Sequence, residues 1–207
     1  MNLLKVSDMK KYFLLSLLYI PVAEAQTAAD LSKIENYLNE MTTMESSFVQ
    51  MASNGATSEG KLYISKPSKI RMEYAPPTDI LIVGNGDEII FHDKELDQIT
   101  NIDYEDIPGT KILTETIKID GKTLKATDFY KDAGSTTITL EYTKEKDMGP
   151  ITLVFSNKPF ELKQWKIIDP QSVEVTLSLY DMHTNTPLDQ NLFSYKKKAR
   201  KNAKRRR

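Results

Sequence analysis

Between residues 46 and 180 the chain keeps repeating one unit, a short β-prone run followed by a turn signal, at intervals near ten residues. The runs 47–51, 60–65, 69–74, 80–83, 88–92 and 97–102 are divided by Asn54-Gly55, Lys66-Pro67, Ala75-Pro76-Pro77, Gly84-Asn85-Gly86-Asp87 and Asp93-Lys94. Glycine, proline and asparagine end strands because they supply backbone angles, or remove a donor, that a ladder cannot accommodate. After an interruption at 106–115, where Pro108-Gly109 before Ile112 and Leu113 suggests a short helix, the runs resume at 123–130, 136–142, 151–155, 162–168 and 173–180. The spacing predicts eleven antiparallel strands in one meander. So many strands need a closed or strongly curled sheet to manage their edges. The fold class is mainly β.

Alternation assigns faces. Ile138, Leu140 and Tyr142 share one face of their strand; Val173, Val175, Leu177 and Leu179 share one of theirs. A bulge near Trp165 would reverse a register. Residues 27–43 read as helix, with Leu31, Ile34, Leu38 and Met41 at three- and four-residue steps, Tyr37 beside them, and Thr27 and Asp30 as capping candidates. Residues 187–193 can add one helical turn. Short helices of this kind can lid a curled sheet but cannot cover its whole concave face, which predicts an apolar ligand cavity.

The first 25 residues have the order basic, apolar, small-x-small: Lys5, Lys10 and Lys11, then 12–20, then Ala23-Glu24-Ala25 before Gln26. That order is the pattern of a cleaved secretory signal, with cleavage expected after Ala25 and a periplasmic destination. A nine-residue run, apolar apart from Ser16, is too short to span a bilayer, which takes about 20 apolar residues. The domain organisation expected is a signal at 1–25, one domain at 26–195 and a basic tail at 196–207. No cysteine is present, which excludes disulfides, thiolate metal sites, a cysteine nucleophile and lipid attachment at a cysteine. Of the 28 Lys and Arg, nine lie in 196–207 and three precede residue 26, so 26–195 holds 16 against 27 Asp and Glu. That acidic excess argues against nucleic acid as a partner of the body.

Catalytic patterns are weak. His92 and His183, the two histidines, have no second ligand at metal spacing and read as solvated. The acids Asp103, Glu105 and Asp106 cluster in a turn rather than a cleft, and Gly84-Asn85-Gly86 is a hairpin, not a phosphate loop. No enzyme activity and no cofactor are expected.

Several segments in order carry a resemblance: Phe48-Val49-Gln50; the stretch 60–77 around Lys66-Pro67 and Ala75-Pro76-Pro77; residues 82–93; Leu162-Lys163-Gln164-Trp165; Thr176-Leu177-Ser178; and Pro187-Leu188-Asp189 with Leu192-Phe193. Together they resemble the LolA family of periplasmic lipoprotein carriers, over roughly residues 30–195. The resemblance implies an unclosed antiparallel barrel, lidded by short helices. It implies a carrier that takes acylated lipoproteins from an inner-membrane ABC transporter and passes them to an outer-membrane receptor where one exists, working as a monomer. Joined to the parity above, it implies a cavity lined by Ile70, Met72, Tyr74, Ile82, Phe91, Leu153, Phe155 and Leu177, under a lid of Leu31, Ile34 and Leu38. Met72 stands where the family often has tryptophan. Lys66 stands where some members use an arginine to latch the lid through helix carbonyls; it keeps the charge but lacks the planar fork. Arg71 is expected on the outer face. A protein-binding sensor or scaffold on the same half-barrel is the alternative reading.

Overall fold

The computed structural model describes residues 22–104, 116–144, 148–168 and 172–196. The helix expected at 106–115, residues 1–21 of the signal expected at 1–25 and residues 197–207 of the tail expected at 196–207 lie outside the described residues.

Among the described residues, a helix, α1 (Val22–Glu40), is followed by β1 (Thr43–Ala52), β2 (Thr57–Ser65), β3 (Lys69–Tyr74), β4 (Ile80–Asn85), β5 (Ile89–Asp93) and β6 (Gln98–Ile102). The second half contains β7 (Leu124–Lys131), β8 (Ser135–Tyr142), β9 (Ile151–Asn157), β10 (Phe160–Ile168) and β11 (Glu174–Thr184), then a 3-10 turn at Gln190–Phe193. All eleven strands join one antiparallel sheet in the order β6-β5-β4-β3-β2-β1-β11-β10-β9-β8-β7. The sheet is therefore not one meander. Its first and last strands pair in the middle, Phe48 opposite Leu179 and Gln50 opposite Leu177, which leaves β6 and β7 as the edges of an unclosed barrel. Local turn signals set each neighbouring pair, but the β1–β11 pairing joins the ends of the chain and has no local signal.

The helix ends at Glu40, short of the expected 43, and begins before the expected Thr27. From Thr43 the period changes from helical to alternating: Met44, Ser46 and Phe48 are buried while Thr43, Glu45 and Ser47 are less so. Asp30 does not cap the helix start; its carboxylate pairs with Lys131 at 2.6 Å. His183 sits near the end of β11, opposite Glu45 on β1.

Register sorts the faces. Ile70, Met72 and Tyr74 share a side with Ile64, Leu62 and Gly60 on β2, and with Ile82 on β4 and Phe91 on β5. That side is concave and holds the core, whose largest fully buried members include Phe48, Phe155, Ile34 and Leu38. Gly60 is required there: a Cβ would run into the Glu73 carbonyl and the Phe48 ring. Its absence lets Phe48 and Tyr74 meet edge to face, with ring centroids 5.1 Å apart.

Candidate functional site

The concave face has two unequal walls. On the second arm, β7 to β11, Ile138, Leu140, Ile151, Leu153 and Phe155 are 0–1 % exposed. Burying such side chains fully is worth about 1.5–3 kcal/mol each relative to exposure. On the first arm, β2 and the start of β3 are equally closed (Leu62, Ile64 and Ile70), but Met72, Tyr74, Ile82 and Phe91 are only half-buried. The eight expected wall residues thus lie on one concave surface. Leu153, Phe155, Leu177 and Ile70 are covered, whereas Met72, Tyr74, Ile82 and Phe91 retain accessible area.

Tyr74 is the polar member of that wall. Its hydroxyl donates to Gln50 Oε1 at 2.7 Å, and burial pushes its pKa up to about 12, so it is a neutral donor throughout the physiological range.

Ile34 and Leu38 of α1 are 0 % and 1 % exposed and Leu31 is half-buried, which places the expected lid residues against the core. Polar ties hold the helix. Lys66 Nζ donates to the Leu38 carbonyl at 2.6 Å, at the C-terminal end of α1, where unpaired carbonyls and the helix dipole favour a cation. Burial lowers the Lys66 pKa below the ordinary lysine value. Toward the chain between the arms, Asn39 exchanges two hydrogen bonds with the backbone of Ile117 (2.8 and 2.9 Å), and Ile119 N donates to Glu35 at 2.9 Å. Toward the second arm, the Tyr37 ring stands edge-on to Phe155 and Phe160, its hydroxyl accepts from Leu162 N at 3.2 Å, and Lys33 lies 3.9 Å over the Phe160 ring.

Several concave residues escape simple alternation. β10 carries a bulge between Leu162 and Gln164, so Leu162 and Trp165, three residues apart, both face inward. A similar irregularity between Ala126 and Asp128 turns Phe129 inward opposite Ile138. Trp165 is in register with Leu153 and Leu177 and packs against the core, as does Phe129. Strict parity of single strands misses both.

The outer face of the first arm is covered by the chain's own end. Arg71 does face outward, but its guanidinium pairs with Glu73 and donates to the Leu192 carbonyl at 2.9 Å; its side chain is 18 % exposed. Lys69 reaches Gln190 at 2.8 Å, and Leu81, Val83 and Phe193 are buried on this side. His92 is enclosed rather than solvated: its side chain is 13 % exposed and its Nδ1 lies 3.2 Å from the Tyr195 hydroxyl. A cleft of about 660 Å³ remains between this segment and the sheet, lined by charges of both signs, including Arg71, Glu73, Lys94 and Asp97. Among the described residues no cluster of three or more His, Asp and Glu side chains is placed to hold a metal ion.

The sequence profile of the outer membrane lipoprotein carrier protein LolA matches residues 39–196. Among curated relatives, an uncharacterized protein of Rickettsia prowazekii is 23 % identical over 192 residues, covering 91 % of this chain and 88 % of its own length. An outer-membrane lipoprotein carrier protein of Pseudomonas paraeruginosa is 22 % identical, covering 84 % of this chain and 86 % of its own. Among solved structures, a DUF1329 family protein from Desulfovibrio piger superposes with a TM-score of 0.52 at 9 % identity, covering 82 % of this chain and 97 % of its own, a likeness of fold.

Proposed function

The chain belongs to the LolA family of outer membrane lipoprotein carriers, and from that premise we propose that it takes up lipoprotein acyl chains on its concave face and carries them between the two membranes. The family is one of carriers rather than enzymes, and its setting is the periplasm. In this reading the segment 1–25 is a cleaved secretory signal, the donor is an inner-membrane ABC transporter and the acceptor is an outer-membrane receptor.

The observation that supports the reading best is the apolar concave wall roofed by α1, sealed over β8 and β9 and half-open at Met72, Ile82 and Phe91. Water competes poorly for such a surface, and an acyl chain gains about 0.8 kcal/mol per methylene buried. The full gain is not realised, because Ile34 and Leu38 already cover much of the wall. An incoming chain exchanges lid–wall contacts for chain–wall contacts, which keeps affinity far below the ceiling of about 18–21 kcal/mol. A shuttle needs that moderation, since it must release what it takes up.

Lys66 serves in this account as the lid latch, holding the last turn of α1 through the Leu38 carbonyl. An ammonium makes that contact as a point charge on a flexible stem, and so holds less rigidly than a guanidinium fork. Met72 suits the wall for a different reason: an unbranched thioether adapts to chains of varied length.

Met72→Glu tests the proposal. It places a carboxylate on the half-open wall without emptying the packed core. The expected result is a folded protein that no longer releases lipoproteins from inner-membrane vesicles. Normal release by a folded Met72→Glu protein would refute the assignment of this wall to the acyl chains.

A further inference from the structure

One cross-strand row of the concave wall runs Gln50, Leu177, Trp165, Leu153 and Ile138, over β1, β11, β10, β9 and β8. Trp165 is the only tryptophan in the chain. Its ring is partly buried against the core, and its indole nitrogen is fully buried and meets no acceptor among the described residues. An indole N–H is a donor only, and a buried donor without an acceptor is costly to keep. Its cross-strand neighbours Leu177 and Leu153 have no side-chain acceptor to offer. Gln50, two strands away and so about 10 Å distant across the sheet, already accepts from Tyr74 through its Oε1.

A purely apolar wall binds a hydrocarbon chain but does not set how far the chain enters, because every methylene resembles the next. A single fixed donor in such a wall sets depth and orientation. The head of each acyl chain of a lipoprotein is an ester or amide, whose carbonyl oxygen is a hydrogen-bond acceptor. We propose that Trp165 donates its indole N–H to that carbonyl and so makes the cavity selective for acyl over alkyl chains. The inference rests on the carrier reading above and adds a specificity residue to the same site.

Two lipids that differ only in this group provide the test: dipalmitoylglycerol and its dihexadecyl ether analogue, each used to displace an apolar fluorophore from the full chain. The wild type is expected to bind the ester about tenfold more tightly than the ether. Trp165→Phe keeps an aromatic ring and removes the donor, so it is expected to bind both lipids alike, at the ether's affinity. Its melting temperature is expected to equal or exceed that of the wild type, because an orphaned donor has been removed. A residue needed only for packing would instead lower stability and weaken both lipids together. Equal binding of ester and ether by the wild type, or an ester preference that survives in Trp165→Phe, would overturn the donor role while leaving the carrier reading intact. If neither lipid displaces the fluorophore from the wild type, the carrier reading falls and the donor role falls with it.

Discussion

The two arms of the sheet meet the lid on different terms. The second arm is packed shut over β8 and β9, with Leu153 and Phe155 no more than 1 % exposed and Tyr37 of the helix wedged against Phe155 and Phe160. The first arm holds the same helix through the Lys66–Leu38 contact and leaves Met72, Ile82 and Phe91 half-open. The first arm is also braced from outside, by Lys69 and Arg71 bonded to Gln190 and Leu192 of the 3-10 turn. This contrast teaches a division of labour. On the proposed function, β8 and β9 with their half of the helix act as scaffold, and the first arm is a wall stiffened from behind from which the lid can part without the strands following.

The largest effect should come from removing scaffold. Phe155→Ala is expected to cost about 3–5 kcal/mol, while Phe91→Ala on the half-open wall is expected to cost about 1 kcal/mol. In thermal melts the first substitution should lower Tm by roughly 6–20 °C and the second by only a few degrees. Equal losses would erase the distinction between the arms.

A smaller effect separates the two ends of the lid's attachment. Asn39→Ala leaves the Ile117 N–H and C=O without their partner and is expected to cost about 1–3 kcal/mol. Lys66→Met keeps the apolar stem and removes one contact, so its stability cost should be the smaller of the two. Its effect on access should be the larger: an apolar fluorophore is expected to enter the Lys66→Met protein faster than the wild type. Faster entry in Asn39→Ala but not in Lys66→Met would place the opening on the wrong side.

The smallest effect is one of pH. Burial lowers the folded-state pKa of Lys66, so the unfolded chain binds its proton more tightly than the folded protein does. Stability therefore rises with pH from the folded pKa up to the ordinary lysine value near 10.5. The wild type should gain on Lys66→Met across that alkaline window and run parallel to it below. Denaturation midpoints of the pair across that range measure the difference.

Much of the scaffold is legible in the sequence because its signals are local. Turn pairs such as Asn54-Gly55 and Lys66-Pro67 locate strands, and alternation puts Ile70, Met72 and Tyr74 on one face, as the register has them. What escapes the sequence is non-local or irregular. Pairing of β1 with β11 depends on curvature summed over the whole sheet. Trp165 and Phe129 are hidden by bulges, where one extra residue reverses parity. Arg71 reads as an outward surface charge, but only the folded chain brings Leu192 across it. Lys66 carries no pattern of its own; resemblance to the family singles it out, and its place beside the Leu38 carbonyl appears only in three dimensions.

The central claim is that acyl chains lie along the concave side of the first arm, with their carbonyl ends toward Trp165 on β10. Photoreactive side chains at Ile82, on the concave face, and at Ile90, which register with Val83 places on the opposite face, test it most directly. After irradiation of cells and mass spectrometry of the adducts, acylated proteins are expected cross-linked through their lipid at position 82 and not at position 90. Lipid adducts at position 90 alone, or only unlipidated proteins at position 82, would contradict the account.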